Sequence, residues 1–182
     1  YTRVPVLNSP AALMRHNEKL IPLHSPFAVP DTVVSANWED VQDYHAQIKG
    51  RWVMKSFVDC GGNGVFLIHP STSTAKLRHV FRWCSSHNTS PVMMQRFIPE
   101  VTCGDKRIFI VNGKISGWVL RVPASGNFKA NLHQGARAVS CQLSAHDHAI
   151  CAWVCAYLNP QEVPFIALDV IHSYLTEVNI TS

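Results

Sequence analysis

The sequence lacks a long hydrophobic run, internal repeats and low-complexity tracts. No stretch of about eighteen apolar residues occurs in its 182 positions, so no membrane-spanning helix is predicted. No charged start with an apolar core marks a signal peptide. The formal charge is only +4, and the sequence contains no run of basic residues. Both features argue against nucleic-acid binding. Hydrophobic residues make up 47% of the chain, so we expect a packed core and no extensive disorder.

The six cysteines lack the spacing of a zinc ribbon or a thioredoxin-type site, because none forms a Cys-x-x-Cys pair. Cys151 and Cys155 lie four residues apart on a predicted helix and share one face. Buried, reduced thiols are favoured there over a metal site. Cys60 differs from the others, because it lies inside a glycine-rich loop. The only tight histidine group, His146-Asp147-His148, is interpreted as surface.

Proline, glycine and asparagine divide the chain into alternating helices and strands. The predicted helices are 10–19, 38–48, 74–86 and 144–158. The predicted strands are 32–35, 51–55, 65–68, 92–95, the arms of a hairpin at Asn112-Gly113, and the segments around Asp169 and Glu177. Pro123–Arg137 has few periodic apolar residues and is a candidate mobile loop. This order favours a mixed α/β (α+β) architecture of two subdomains with a cleft between them.

Three oxygen donors are predicted to meet near the end of the chain. Glu177 and Asn179 are two residues apart on a strand, so their side chains point the same way. Asp169 ends the preceding apolar run and meets them if the two strands form a hairpin. Such a set suits Mg²⁺ held partly by substrate phosphates. The alternative is a hairpin whose polar residues face water.

A strand ending at Lys55 leads into the run Asp59-Cys60-Gly61-Gly62-Asn63-Gly64 and then a second strand. Glycines let backbone N–H groups approach a phosphate closely, and Lys55 would add a positive charge. The run is not a Walker loop, because no Gly-Lys-Ser/Thr opens a following helix. The alternative is a plain hairpin turn.

Arg107 and Arg121 lie near the open ends of the two arms around Asn112-Gly113, a strong two-residue hairpin signal. Pairing around that turn brings both guanidinium groups to one end of a sheet. Forked cations of this kind recognise phosphate or carboxylate oxygens in two-point fashion. The alternative is a pair of solvated surface arginines.

Seven motifs together resemble bacterial-type glutathione synthetase, an ATP-grasp ligase, in their order along the chain. They are Asn17-Glu-Lys19, the Lys55 glycine-loop segment, Met94-Gln-Arg-Phe-Ile-Pro99, Gly104-Asp-Lys-Arg107, Arg121-Val-Pro123, Ala130-Asn-Leu132 and Thr176-Glu-Val-Asn-Ile-Thr-Ser182. The resemblance covers Val6 to Ser182 and matches the central and C-terminal, ATP-binding part of that enzyme. It implies an ATP-grasp fold with residues 1–98 mainly in the first subdomain and 99–182 in the second. The family's N-terminal substrate domain has no counterpart here, and the chain opens at Tyr1, as expected of a fragment.

The resemblance also implies roles for individual residues. The implied nucleotide-binding residues are Lys19, Lys55, Gly61, Gly62, Gly64, Gln95, Arg96, Phe97, Ile98 and Asp105. The two lysines would contact phosphates, the glycines would cover them, and the backbone of 95–98 would line the adenine pocket. The implied metal ligands are Asp169, Glu177 and Asn179, holding Mg²⁺ or Mn²⁺. The implied catalytic residues are Arg107 and Arg121, and the implied substrate-binding residues are Lys129, Asn131, Gly135 and Arg137.

The implied reaction makes glutathione from γ-glutamylcysteine, glycine and ATP through an acyl phosphate. The resemblance further implies a cytoplasmic protein that self-associates and binds neither nucleic acid nor membrane. Three positions depart from the family pattern: Ser56 replaces Pro, Lys129 replaces Arg and Ala136 replaces Gly. Two alternatives stay open, another ATP-grasp carboxylate–amine ligase and a truncated nucleotide-binding remnant without catalysis.

Overall fold

The computed structural model describes residues 6–59 and 61–181, which fall into two compact units. The smaller unit is Pro30–Pro99, and the larger unit joins the residues up to Val29 with those from Glu100 onward. This division differs from the expected 1–98 and 99–182, because the N-terminal residues belong with the C-terminal ones.

Asn8 shows why the N-terminal residues join the larger unit. Its side-chain nitrogen donates to the carbonyl oxygens of Phe165 and Ile180, at 2.6 and 2.7 Å. Its side-chain oxygen accepts the backbone N–H of Phe165 at 2.9 Å. These bonds tie the start of the described chain to its last two strands.

Four α-helices and nine β-strands are described. The helices are α1 (Pro10–Arg15), α2 (Trp38–Gln47), α3 (Thr74–Cys84) and α4 (Ala145–Leu158). The strands are β1 (Thr32–Ser35), β2 (Trp52–Ser56), β3 (Val65–Ile68), β4 (Val92–Arg96), β5 (Asp105–Val111), β6 (Lys114–Val122), β7 (Arg137–Val139), β8 (Phe165–Ile171) and β9 (Tyr174–Asn179). Short 3₁₀ turns occupy Ile21–His24, Pro99–Cys103 and Leu132–Gln134.

The smaller unit is a four-stranded antiparallel sheet in the order β1-β4-β2-β3, with α2 and α3 on one face. Apolar residues of α3 recur at helical spacing and are buried: Leu77, Val80, Phe81 and Cys84. They share a core with inward-facing sheet residues, Trp52, Met54, Ile68, Val92 and Met94. Because strand side chains alternate, Lys55 and Gln95 lie on the opposite face.

The larger unit is a five-stranded antiparallel sheet in the order β7-β6-β5-β8-β9. Helix α4 buries Ile150, Val154 and Leu158 against one face of it. The sheet residues in that core are Ile108, Ile110, Ile166, Leu168, Val170, Leu175 and Val178. Asp105, Arg107 and Asp169 alternate with these and occupy the other face, whereas Lys106 lies on the α4 side, where it bonds Asp147.

The hairpin and capping predictions are confirmed. Asn112 and Gly113 both have positive φ, 49° and 75°, as a tight two-residue turn between paired strands requires. Ser144 and Asp147 form a reciprocal capping box at the start of α4. Each signal is local, so a few residues were enough to predict the structure.

The first helix is shorter than predicted, because α1 ends at Arg15 and not at Lys19. The Asn17 side-chain oxygen accepts the N–H of Lys19 at 3.0 Å, and its carbonyl accepts those of Leu20 and Ile21. Asparagine commonly closes such local turns in competition with a helix. The short strand β7 was not predicted at all.

The interpretation of His146-Asp147-His148 as surface is wrong for its first two members. Asp147 is fully buried and bonds Lys106 of β5 at 2.5 Å. His146 is half-buried, and its Nε2 lies 3.0 Å from the Ser173 carbonyl oxygen. Only His148 is exposed.

The longest described helix, α4, has 14 residues, too short to cross a lipid bilayer.

Candidate functional site

A row of charged side chains crosses the open face of the larger sheet, opposite α4. Strand register sets this row: Asp105 lies opposite Arg121, and Arg107 lies opposite Asp169. Asp169 in turn lies opposite Glu177 of β9. Directly paired residues share a face, so all five side chains project to one side.

The centre of the row is a network of three ion pairs among four residues. Arg107 donates to both carboxylate oxygens of Asp169, at 2.8 and 2.6 Å. Arg121 donates to both oxygens of Asp105, at 2.6 and 2.5 Å. Arg121 also reaches Asp169, with Nη2 3.0 Å from Oδ1. The expectation that both guanidinium groups lie at one end of a sheet is confirmed.

The network is largely withdrawn from water. Asp105, Arg121 and Asp169 are 7%, 4% and 5% exposed. Burial raises the pKa of Asp105 to about 6, although the hydrogen bonds from Arg121 oppose the shift. Burial alone would lower the pKa of Arg121, but the two carboxylates outweigh it and raise that pKa. At pH 7 and above, Asp105 therefore remains mainly a carboxylate that pairs with the Arg121 guanidinium.

Lys19 and Asn179 extend the network along β9. Lys19 is 9% exposed, and its Nζ lies 3.2 Å from Glu177 Oε1. The side-chain nitrogen of Asn179 donates to the Ala167 carbonyl at 3.1 Å and lies 3.4 Å from an Asp169 oxygen. Within the described residues no donor bonds the Asn179 amide oxygen, which is thus the atom left for a ligand.

Glu18, which sequence reasoning did not single out, places Lys19. Its carbonyl oxygen accepts the N–H of Val178 at 3.0 Å. Its Oε1 accepts the backbone N–H groups of Ile180 and Thr181, at 2.6 and 2.8 Å. These bonds clamp residue 18 beside β9. Glu18 was part of the motif Asn17-Glu-Lys19, but no role was predicted for it beside the lysine.

We call Lys19, Asp105, Arg107, Arg121, Asp169 and Glu177 the charged cluster. It contains three carboxylates and three cations, so its formal charge is zero. Across residues 6–59 and 61–181, no three His, Cys, Asp or Glu side chains are placed to hold a metal ion. Two carboxylates and the Asn179 oxygen nevertheless match the hard oxygen donors that Mg²⁺ takes. Because cations already pair both carboxylates, a divalent ion fits here only together with added negative charge, such as phosphate.

In the smaller unit, Lys55 and Gln95 lie together on the face opposite the helices. Lys55 Nζ donates to Gln95 Oε1 at 2.8 Å. Gln95 is 4% exposed, so its amide is a buried hydrogen-bonding group and not a solvated surface amide. Beyond it, Arg96 is exposed and pairs with Asp31 at 2.7 Å.

The backbone of residues 96–98 is partly used inside the protein. The N–H groups of Arg96 and Phe97 donate to the carbonyls of Asp31 and Arg51, at 2.9 and 3.1 Å. Ile98 is 8% exposed, and in the described part of the chain its N–H has no acceptor. Of this segment, Ile98 thus retains the backbone donor that a ligand could use.

The glycine loop lies in the connection between β2 and β3. Gly61 and Gly62 have φ of 65° and 75°, and the Gly64 carbonyl accepts the Ser56 N–H at 2.9 Å. A Cβ on Gly64 would lie 2.6 Å from the Asp59 Cβ, so the turn requires glycine there. Ser56, one of the positions expected to depart from the family pattern, is buried and its Oγ accepts the Val58 N–H. Cys60 lies outside the described residues.

The side chains of the predicted substrate loop do not reach the charged cluster, although Arg137 pairs with Val122 on the strand that carries Arg121. In the described chain no hydrogen bond or ion pair links Lys129, Asn131 or Arg137 to the cluster. Lys129 Nζ lies 5.9 Å from the Phe128 ring centre, and burial lowers its pKa. Arg137 is exposed and begins β7.

Two small residues end the substrate loop. Gly135 is left-handed, with φ of 92°, and ends the 3₁₀ turn. Ala136, expected to stand in place of a glycine, does not have positive φ, so an alanine at this position brings no backbone strain.

A match to a protein-family model identifies the family of this chain. The model described as "Prokaryotic glutathione synthetase, ATP-grasp domain" matches residues 18–182. The chain belongs to this glutathione synthetase ATP-grasp family. The match begins beside Lys19 and includes every member of the charged cluster and of the glycine loop.

Curated relatives agree with the family. A glutathione synthetase of Gloeobacter violaceus is 38% identical over 177 residues, covering 97% of this chain and 54% of the relative. A glutathione synthetase of Prochlorococcus marinus is 36% identical over 179 residues, covering 98% and 57%. The chain therefore spans about half the length of the curated relatives it matches.

Solved structures show the ATP-grasp fold. The D-cycloserine synthetase DcsG superposes with a TM-score of 0.72 at 19% identity, covering 94% of this chain and 65% of that one. The ATP-grasp ligase PsnB, complexed with a precursor variant, Mg and ADP, gives 0.69 at 14% identity, covering 99% and 55%. At these identities the likeness concerns the fold alone. The predicted fold class is confirmed.

Proposed function

We propose that this chain binds ATP and a divalent metal in an ATP-dependent ligase that forms glutathione from γ-glutamylcysteine and glycine. The charged cluster is the observation that carries the proposal. Three buried or half-buried cations and three carboxylates are held on one rigid sheet face, with two carboxylates and an amide oxygen suited to a metal. Membership of the glutathione synthetase family supports the choice of reaction.

Mg²⁺ or Mn²⁺ would be held by Asp169, Glu177 and Asn179. Bound there, the metal would neutralise phosphate charge and orient the phosphoryl group. The neutral charge of the cluster makes a bare divalent ion a poor ligand, since three cations repel it. A triphosphate carries more negative charge than one divalent ion cancels, so metal and nucleotide are expected to bind together.

The chain's own groups would bind the rest of ATP. Lys19 and Lys55 supply point charges to phosphate oxygens. The backbone of the glycine loop covers the terminal phosphates, since Gly61 and Gly62 allow N–H groups to approach an anion. The backbone N–H of Ile98 is suited to a nitrogen acceptor of adenine. Asp105, expected to contact the nucleotide, is engaged by Arg121, so we assign it to holding that arginine in place.

The proposed reaction has two steps. The terminal phosphoryl group of ATP moves to the cysteinyl carboxylate of γ-glutamylcysteine, giving ADP and an acyl phosphate. The glycine amine then attacks the acyl carbon, phosphate leaves with the bonding electrons, and the nitrogen loses a proton. Arg107 and Arg121 would steady the oxygens that gain charge, at fixed positions and with little reorganisation.

Another acyl substrate is the second candidate, because the substrate loop departs from the family pattern. Lys129 keeps a positive charge where the family has Arg, but it loses two-point recognition of a carboxylate. Lys129, Asn131, Gly135 and Arg137 remain the proposed substrate residues. Cytoplasmic localisation and self-association belong to the same proposal. A remnant without catalysis is disfavoured, because the charged cluster is complete.

The test is ADP release by the native protein that carries this chain, with candidate acids offered one at a time, with and without glycine. We expect ADP to be released when γ-glutamylcysteine is the acid. We expect glutathione to form only when glycine is also present. Lys129→Arg should raise turnover or lower the KM for the dipeptide. Release with another acid, and none with γ-glutamylcysteine, would leave a ligase but overturn the glutathione assignment.

A further inference from the structure

Three polar side chains form a hydrogen-bonded row across the sheet of the smaller unit. Thr32 lies on β1, Gln95 on β4 and Lys55 on β2, three neighbouring strands. Gln95 Nε2 donates to Thr32 Oγ1 at 2.8 Å, and Lys55 Nζ donates to Gln95 Oε1 at 2.8 Å. Thr32 lies directly opposite Gln95, and Lys55 lies one diagonal step away, opposite Met93. The row therefore follows from register and occupies the face opposite α2 and α3.

The row has a fixed direction. The Pro30 carbonyl can only accept a hydrogen bond, and Thr32 Oγ1 donates to it at 2.6 Å. Because the Thr32 hydroxyl proton is used in that bond, the Thr32 oxygen can only accept a hydrogen bond from Gln95. The amide NH₂ of Gln95 must therefore face β1. The amide oxygen must then face Lys55. A flipped amide would place an NH₂ group against the ammonium and a carbonyl against the oxygen's lone pairs.

We propose that Thr32 is a positioning residue for nucleotide binding: it orients Gln95 so that a neutral oxygen holds the Lys55 ammonium in place. This inference rests on the proposed function, in which Lys55 contacts ATP phosphates. A lysine loses substantial rotamer freedom when it is fixed, so holding it beforehand reduces the cost of binding.

The choice of an amide rather than a carboxylate matters for charge. Lys19 in the larger unit is held by the Glu177 carboxylate, which cancels its charge locally. Gln95 accepts from Lys55 with a neutral oxygen, so this hydrogen bond does not itself reduce the positive charge of the lysine. Gln95→Glu keeps an acceptor for Lys55 but places a negative charge beside the anion. It should therefore weaken ATP binding rather than preserve it.

The test compares Thr32→Val, which removes the hydroxyl at nearly constant shape, with Thr32→Ser, which retains it. Calorimetry with Mg·ATP should show a Kd about three- to tenfold higher for Thr32→Val, as expected when the part-buried hydrogen bonds of the hydroxyl to Gln95 and Pro30 are lost, and within about twofold for Thr32→Ser. Val33→Thr on the same strand, facing the other way, is the matched control and should bind as the wild type does. Thermal unfolding checks that each variant is folded.

A second readout follows Lys55 itself without nucleotide. Trace acetylation followed by mass spectrometry should label Lys55 faster in Thr32→Val than in the wild type, relative to exposed Lys114, and Thr32→Ser should restore slow labelling. If the wild type binds no Mg·ATP, the proposed function fails, whatever the labelling shows. If the wild type binds and Thr32→Val binds equally well, or if Thr32→Ser is as weak as Thr32→Val, the positioning role is overturned.

Discussion

Burial decides the chemistry of the individual cysteines. Burial raises the pKa of both Cys84 and Cys151 to about 12, which keeps these thiols protonated at neutral pH. Cys103 is exposed. The preference for buried, reduced thiols is confirmed at Cys151, while Cys155 is half-buried, with Sγ 3.8 Å from the Gly113 carbonyl.

Alkylation should therefore discriminate among the cysteines. A maleimide at pH 7 should modify Cys103 in the native protein and leave Cys84 and Cys151 unmodified until denaturant is added. Peptide mass spectrometry reads the outcome. Rapid native-state modification of Cys84 or Cys151 would contradict the burial described here.

Asp147 shows what a sequence does not reveal about a single residue. Its role in the capping box was predictable from Ser144 three residues earlier. Its bond to Lys106 was not, because 41 residues separate the partners and only the packing of α4 on β5 joins them. The same holds for Asp105, whose arginine partner could be placed only once the register was known.

Asp147→Asn should destabilise the protein by about 2–3 kcal/mol, because Lys106 loses a buried charged partner and α4 loses part of its cap. Burial raises the pKa of Asp147, but hydrogen bonds from Lys106 and Ser144 outweigh it and lower the pKa. A carboxylate with a lowered folded pKa stabilises fully above its unfolded pKa and loses this contribution as pH falls through the folded value. Urea unfolding should show a constant difference from pH 7 to 5 that shrinks below about pH 4.

Asp43→Asn, at an exposed carboxylate of α2, is the control for that experiment and should change stability by less than about 0.5 kcal/mol. A difference for Asp147→Asn that did not depend on pH would argue against an ionised, paired Asp147.

At the scale of elements, local signals predicted the strands and turns, and long-range contacts set their ends. The Asn112-Gly113 turn and the α4 cap depend on a few neighbouring residues. By contrast, α1 stops at Arg15, and in the turn after it the Glu18 carbonyl accepts the N–H of Val178 in β9. Strand β7 forms by pairing with the edge strand β6. Neither partner is visible from the segment itself.

The glycine loop provides a test at this scale. Gly64→Ala should weaken Mg·ATP binding about five- to tenfold, because its Cβ would lie 2.6 Å from the Asp59 Cβ and 2.9 Å from that of Ser56 and would displace the turn. Gly117→Ala in β6 is the matched control, since nothing lies within 4 Å of its added Cβ. Calorimetry and thermal unfolding of both variants check the prediction. Equal ATP affinity for Gly64→Ala and wild type would exclude a role for this loop geometry.

For the whole molecule, the ordered set of motifs predicted the family and the fold, while the division into units came only from the structure. The expected meeting of Asp169, Glu177 and Asn179 depended on one hairpin and was predictable. The neutrality of the charged cluster was not, because it needs Lys19 from one end of the sequence beside Glu177 from the other. That neutrality is the basis for expecting metal and nucleotide to bind together.

Calorimetric titration of the folded chain with Mg²⁺ alone, ATP alone and Mg·ATP tests this central claim most directly. We expect no measurable binding of Mg²⁺ alone, binding of Mg·ATP, and at least about tenfold weaker Mg·ATP binding by Glu177→Gln, which keeps its shape but loses a charged ligand. Glu162→Gln, at a carboxylate paired with Arg15 outside the charged cluster, should bind as the wild type does. Tight binding of Mg²⁺ without nucleotide, or Mg·ATP binding by Glu177→Gln as tight as wild type, would contradict the account.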